Sequence, residues 1–454
     1  MVVVGGGFGG LTAAQAARRL GARITLIDRT NHHLFQPLLY QVATAGLTAP
    51  DIAAAIRSVL AGREDVTILL DEVVGVDLAG KTLTLASGAE EALSYDYLVL
   101  AAGARTNYFG HDEWAERAPG MKSISDALEI RRRVLLSFEQ AETARDKEAQ
   151  DKLLTFAIVG GGSTGVELAG AVAELGRFVL ASDFRHIRPD ASRVVLIEAG
   201  ARLLPAFAED LSESARLELA GFGVDVRLHT KVEAIDGDKL TLRGPDGTVD
   251  ELPAGTVVWA AGVKPVPLAQ TLGLPMARDG RVKVERDCSL PGHPEAFCIG
   301  DMAYLEGHDG KPLPGVSPVA MQQGRHVVKA IARRMDGQLD ADEESRARHA
   351  FRYMDKGIMA TIGRKSAVVQ TGPIKMSGLV AWLAWLGVHI YYLIGFRNRF
   401  VVLFSWAWSY LTYRRGARVI TEPDVTPRAD ALALARGTGA QSVSRATQSR
   451  HAGA

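Results

Sequence analysis

The chain opens on an apolar burst, Val2, Val3 and Val4, breaks into glycine, and resumes as LTAAQAARRL with apolar positions at helical spacing. ARITLID follows, a second apolar run that stops at Asp28. This pattern predicts strand, turn, helix and strand. Residues 66–100 then read as short β runs (VTILLDEVVGVDL, TLTLAS, YDYLVLAAGAR). The last is a buried strand ending at Ala102 and Gly103, where only small residues let backbone approach a ligand. From Ser125 to Lys152 the pattern is charged and helical, and it delivers the chain to LTFAIVGGGSTGVELAGAVAEL, which repeats the opening. VDVRLHTKVEAIDGD and KLTLRG predict hairpins with Asp-Gly turns. TVVWAAGVKP echoes the earlier LVLAAGAR at Ala261 and Gly262. EAFCIGDMA then gives a strand ending at Gly300 and Asp301, followed by a Gly/Pro loop and the helix VAMQQGRHVVKAIARRM.

The punctuation between these elements carries chemistry. Gly5, Gly7 and Gly10, with Phe8 and Gly9 between them, form Gly-x-Gly-x-x-Gly between a strand and a helix. Such a tight turn lets backbone N–H groups meet a pyrophosphate at a helix N-terminus. Asp28, about twenty residues on, is placed for the ribose hydroxyls of a dinucleotide. Gly160, Gly162 and Gly165, with Thr164 among them, repeat the turn, and Glu198 in VVLIEAG repeats the acid. Two such folds imply two cofactors, or one cofactor and a duplicated scaffold. A carboxylate at Glu198 repels a 2′-phosphate, so the second fold should prefer NADH to NADPH, a preference that Arg202 weakens a little.

Composition narrows the field further. The 454 residues suit two or three domains. Lys+Arg and Asp+Glu are balanced at 52 each, so no strong field recruits nucleic acid. Cys288 and Cys298 lack CxxC spacing and read as structural thiols, which fits a reducing compartment. His32 and His33 have no further ligands at useful spacing, and Asp236 and Asp238 lack the rest of a calcium loop, so no metal is expected. Met1 abuts the first strand, so no signal peptide is visible, and the shortness of that strand points to a start upstream.

Two glycine-rich folds, an A-x-G after each, and a late hydrophobic-Gly-Asp resemble the two-dinucleotide-binding flavoprotein reductases. Within that superfamily, NHHLFQPLLYQVATAGL, GGGSTGVELAG, VAMQQG and GLVAWLAWLGVHIYYLIGFRNRF make residues 2–421 similar to the type II NADH:quinone oxidoreductases, single-subunit enzymes that do not pump protons. The resemblance implies FAD across residues 5–10, Asp28, Gln36, Ala102, Gly103, Gly300 and Asp301. It implies NADH on Gly160, Gly162, Thr164, Gly165 and Glu198, with Ala261 and Gly262 closing the second fold. Hydride would pass to the flavin and two electrons on to a quinone. No cysteine pair stands where disulfide-reducing relatives keep theirs, so electrons would leave the flavin directly.

The same resemblance points to two catalytic candidates. Glu167, in TGVE, would lie between the nicotinamide and quinone pockets and steer a proton if burial raised its pKa; the plainer reading is a charge complementing a helix N-terminus. Ser317 and Pro318 read as N-cap and first residue of a helix whose positive end would favour an anionic reduced flavin. The family pattern A-Q-x-A-x-Q-x-G meets Ser317 to Gly324 with Pro318 in place of the first glutamine and Gln322 as the second. Gln322 would then face the quinone side of the flavin, the alternative being a helix-surface amide.

Residues 378–395 are eighteen uncharged, mostly apolar positions that border on a transmembrane helix by length. FRNRF interrupts, and VVLFSWAWSYLTY is too short to span untilted. Aromatics spread throughout, with Arg397, Arg399, Arg414, Arg415 and Arg418 flanking them, suit helices lying in a headgroup region. His389 reads as an interfacial side chain. A buried core hairpin and a homodimer interface remain the alternatives. The expected architecture is α/β, with two Rossmann-like dinucleotide-binding domains, the second inserted in the first, plus a C-terminal amphipathic helical membrane anchor. The partition is 1–115 and 263–335 for FAD, 116–262 for NADH, 336–376 a β-containing segment, 377–421 the anchor and 422–454 a disordered tail. The expected partners are a membrane quinone and a lipid bilayer surface, met as a peripheral, monotopic protein on the cytoplasmic face of the inner membrane. A sulfide:quinone-type reductase, a soluble ferredoxin-type reductase and a membrane-bound flavin redox sensor are the competing functions.

Overall fold

The computed structural model describes residues 1–88, 92–338, 349–412 and 415–420; the tail expected to be disordered lies outside them. Val2–Val4 (β1) is wholly buried and leads into helix Phe8–Ala16 (α1). Parallel strands Ile24–Asp28 (β2) and Leu98–Leu100 (β4) flank β1, with Val66–Leu70 (β3) beyond β2. Val3 pairs in register with Leu26 on one side and Val99 on the other. A parallel strand covered on both faces needs apolar residues at every position, which is why β1 shows no alternation.

A second parallel sheet follows. Its strands are Thr155–Val159 (β5), Arg193–Ile197 (β6), Val224–Arg227 (β7) and Thr256–Trp259 (β8), in the order β7-β6-β5-β8. Ser163–Glu174 (α2) follows β5 as α1 follows β1. Helix Ile124–Thr143, capped reciprocally by Ser123 and Asp126, covers one face through Ile130, Val134 and Phe138. The predicted hairpin is present: Lys231–Asp236 pairs with Lys239–Arg243 across a turn with Gly237 at φ 59°. The chain then rejoins the first sheet through His293–Cys298 (β9), parallel to β4, and helix Ser317–Met335 (α3). Passage out and passage back run side by side, because Ala104–Thr106 pairs antiparallel with Val263–Pro265.

Strands Ile358–Thr361 (β10), Ala367–Thr371 (β11) and Ile374–Ser377 (β12) form an antiparallel meander. Two helices follow, Gly378–Tyr392 (α4) and Phe396–Thr412 (α5). Neither crosses a membrane: no helix among the described residues is long and apolar enough. Nor are they an appendage. Trp382, Trp385, Leu393, Val402 and Trp406 join the large core cluster that contains Phe138, Phe156 and Leu196. The flanking arginines divide. Arg415, expected among lipid headgroups, is instead buried, its guanidinium 3.3 Å from Glu174 at the end of α2 and donating to the Thr44 carbonyl at 2.7 Å. Arg364 meets the same carboxylate and donates to the Ser409 carbonyl at 2.8 Å. Two guanidinium groups around one buried carboxylate thus fasten α5 to the second fold. Arg414 lies outside the described residues.

Candidate functional site

The two glycine turns are near copies. Gly5 and Gly160 have φ of 101° and 113°, a region L side chains rarely adopt, and lie against Ala101 and Ala260 backbone. A Cβ on Gly10 would sit 1.9 Å from the Gly5 carbonyl oxygen, and one on Gly165 1.8 Å from that of Gly160. Only glycine allows the strand to close onto its helix there. Gly7 and Gly162, the N-cap residues, face open space: nothing lies within 4 Å of a Cβ built on either. Close packing behind the turn and free room in front of it are what a pyrophosphate needs at a helix N-terminus.

The acids close each turn. Asp28 accepts from the Gly6 amide at 2.5 Å and from the Thr30 amide and hydroxyl at 2.6 and 2.7 Å. Glu198 accepts from the Gly161 and Gly200 amides, both at 2.6 Å. His33, set aside as a metal ligand, is built into the first turn: its Nδ1 donates to the Gly6 carbonyl at 3.0 Å and its ring meets Phe8 edge-on. Burial pushes its pKa down, so it supports the first turn as a neutral ring.

One cavity of about 1100 Å³ joins these parts, above the roughly 300–1,000 Å³ of ordinary small-molecule clefts. Gly5, Gly7, Phe8, Gly9, Asp28, Gln36, Ala102, Gly103, Gly300 and Asp301 border it, all of them implied for the first fold by the family resemblance; Gly10, implied with them, packs behind the turn instead. So do Ser163, Thr164 and Glu167 from α2, which puts the second turn's helix end at the same space. The rest of the second motif, including Gly160, Gly162, Gly165, Glu198, Ala261 and Gly262, lies outside this wall. Lys122 stands 3.6 Å from Asp301. The start of α3 also opens here, with the cap one residue earlier than expected: Val316 is the N-cap, and Ser317 and Pro318 are the first two helical residues.

Glu167 is not a helix-end charge. It is buried, and its Oε1 accepts from the Thr361 amide of β10 at 3.3 Å. Burial outweighs that bond and pushes its pKa up to about 8, so the carboxyl is protonated at neutral pH. Gln322 departs from expectation. Its amide donates to the Met354 carbonyl at 2.9 Å and accepts from the Met354 N–H at 3.0 Å, holding the strap before β10 rather than bordering the cavity. Its neighbour Gln323 takes the inward position: it is buried, and its Oε1 accepts from the Gly300 amide at 2.8 Å, fixing the turn that presents Asp301. His389 departs too. It is buried at the cavity wall with Val388 and Tyr392, not out at an interface. Cys288 and Cys298 are buried free thiols that do not border the cavity.

The cradle therefore fits a dinucleotide on this chain's own geometry. A family model described as pyridine nucleotide-disulphide oxidoreductase matches residues 1–324. The chain is 43% identical over 451 residues to the type II NADH:quinone oxidoreductase Ndh of Mycobacterium tuberculosis, covering 97% of this chain and 95% of that one. It is 41% identical to NdhA of the same organism, covering 100% and 95%. NDH2 of Plasmodium falciparum, solved in complex with NADH, superposes with a TM-score of 0.82 over 93% of this chain and 99% of that one at 20% identity, a likeness of fold. By sequence and by fold, this chain belongs to the pyridine nucleotide-disulphide oxidoreductases and, among them, to the type II NADH:quinone oxidoreductase family.

Proposed function

We propose that the chain oxidises NADH and reduces a membrane quinone, without pumping protons. The observation that carries this reading is the single cavity that reaches from the first glycine turn, past the second fold's helix, to the C-terminal helix α4. FAD is held by Gly5 to Gly10, Asp28, Gln36, Ala102, Gly103 and Asp301; when bound, it supplies the two-electron chemistry no side chain has. The second turn and Glu198 hold NADH. Glu167, protonated at pH 7, holds the one proton that NADH does not bring to the quinone. The N-terminus of α3 favours negative charge at the cavity. Because α4 walls the cavity through Val388, His389 and Tyr392, with α5 packed against it at Trp385 and Trp406, the quinone enters beside these helices.

The same helices carry the membrane reading. Leu379, Val380 and Leu383 on α4, and Phe396, Phe400 and Phe404 on α5, are exposed at helical spacing, Phe396 by 82%. A face this apolar, backed by a packed core, suits a monotopic anchor on the cytoplasmic side of the inner membrane. A sulfide:quinone activity has no support, since neither cysteine reaches the cavity.

Two measurements test the function. NADH mixed anaerobically with the FAD-loaded protein should bleach the flavin, and a soluble quinone should restore it. A flavin that NADH bleaches but no quinone reoxidises would refute the quinone assignment. For the anchor, the wild type should float with anionic liposomes, and the Phe400→Glu, Phe404→Glu double variant should not. Equal flotation would remove the helices from the membrane.

A further inference from the structure

His389 stands where α4 meets the cavity, beside Val388 and Tyr392. Its ring stacks on Trp385 with centroids 4.2 Å apart and takes the edge of Phe35 at 6.1 Å. These contacts leave the ring little freedom. Its Nδ1 lies 2.7 Å from the Trp385 carbonyl oxygen. A carbonyl only accepts, so the hydrogen sits on Nδ1. Burial drives the ring's pKa down to about 4, which keeps it neutral at pH 7. A neutral imidazole with its hydrogen on Nδ1 carries a lone pair on Nε2. Among the described residues no hydrogen bond reaches that atom, which keeps some exposure where the ring borders the cavity.

We infer that Nε2 of His389 accepts a hydrogen bond from the hydroquinone headgroup and so binds the reduced product in preference to the oxidised substrate. This rests on the quinone reading of the cavity. The net reaction is NADH + H⁺ + quinone → NAD⁺ + hydroquinone. Before it, the headgroup offers two carbonyl oxygens, both acceptors, and one facing Nε2 would set lone pair against lone pair. After it, each oxygen carries a hydrogen and can donate. The contact therefore forms only as an O–H forms, and it favours the reaction's product side. Glu167 is its complement in the same cavity: a protonated carboxyl that donates to a carbonyl. His389 neither gives nor takes a proton in this role.

The test compares equilibrium binding of ubiquinone-1 and ubiquinol-1 to the FAD-loaded protein, by anaerobic calorimetry. His389→Asn keeps a donor near the Nδ1 position and lacks the cavity-facing atom; His389→Phe keeps the stack on Trp385 and lacks it too. FAD content and the rate of flavin reduction by NADH report which variants are intact, and either intact variant decides. Loss of the acceptor should weaken ubiquinol binding roughly five- to tenfold while ubiquinone binding stays within about twofold. His389→Gln, which places an amide oxygen near Nε2, should recover most of the loss. Equal weakening of both forms would make the ring a packing wall, and no weakening would make it a bystander; each overturns the inference. A wild-type protein that is reduced by NADH but takes up neither form refutes the quinone reading itself, which is a different result from an altered ratio in the variants.

Discussion

Glu167→Gln gives the sharpest check on the site's electrostatics. The carboxyl is buried, with a pKa of about 8 in the folded protein against 4.5 when free. The sign follows from proton counting. Between these two values the folded state holds a proton that the unfolded state has released, so stability falls as pH rises. The burden on the wild type is about 1 kcal/mol at pH 5 and about 3 kcal/mol at pH 7, and it stops growing above about pH 8. Glutamine carries no such burden and keeps an oxygen for the Thr361 amide. The variant's advantage over the wild type should therefore grow by about 2 kcal/mol between pH 5 and pH 7. For 454 residues unfolding together, at about 2.1 cal/mol/K each, this is roughly 2 °C in Tm. Calorimetric scans of both FAD-loaded proteins at the two pH values measure it. A Tm offset that does not change with pH would mean the carboxylate stays ionised in the fold. The same variant should retain FAD and its reduction by NADH yet slow the quinone half-reaction, because the amide has no proton to give.

Gly165→Ala should preserve FAD binding but lower the rate of flavin reduction by NADH roughly a hundredfold, the usual effect of misplacing a reactant by about 1 Å; unchanged reduction would show the second turn is not the NADH cradle. Glu198→Gln should narrow the preference for NADH over NADPH roughly tenfold, in line with one partly exposed charge contact, with reduction rates for both cofactors as the readout. Ending the chain after Met376 should do more than abolish liposome flotation. It uncovers the core around Trp385 and Trp406, so the remainder should bind a hydrophobic dye and lose quinone turnover; a compact remainder with full soluble-quinone activity would contradict the packing.

The glycine turns were legible in the sequence because their physics is local: strand, turn and helix N-terminus lie within ten residues, and the acid follows on the next strand. Asp28, Ala102 and Gly103 also reach the cavity; Gln36 and Asp301 do too, but they were named by the family resemblance and not by any local pattern. Gln322 follows its helix-surface alternative rather than the quinone-side one, because adjacent helix positions point about 100° apart, and two glutamines side by side cannot be told apart by pattern. Only the Gly300 amide shows that Gln323 is the inward one. His389 was hidden differently. α4 is apolar all round, so no polar stripe says which face turns inward. Arg415 and Glu174 are 241 positions apart, and nothing in either neighbourhood announces the pairing. The helices were read as an anchor, with a buried hairpin or a dimer interface as alternatives; one face is packed into the core, and the other is the proposed membrane face.

The paired crossings of Ala104–Thr106 and Val263–Pro265 bear on how such a chain could be assembled at all. Neighbouring strands lie about 4.8 Å apart, so to the flavin-side sheet the whole intervening fold is a loop whose two ends are already touching. Lengthening a loop costs little: each doubling adds only about 0.6 kcal/mol of closure entropy. A parent fold with a short hairpin at this point could accept a complete second fold without moving its own strands. From a turn of about four residues to this insertion is about five doublings, so grafting costs the host about 3 kcal/mol, and the likeness of the two glycine turns is what a duplicated copy dropped into its own ancestor would leave behind. A minimal protein in which a tight turn joins Thr106 to Val263 is the experiment this lineage suggests.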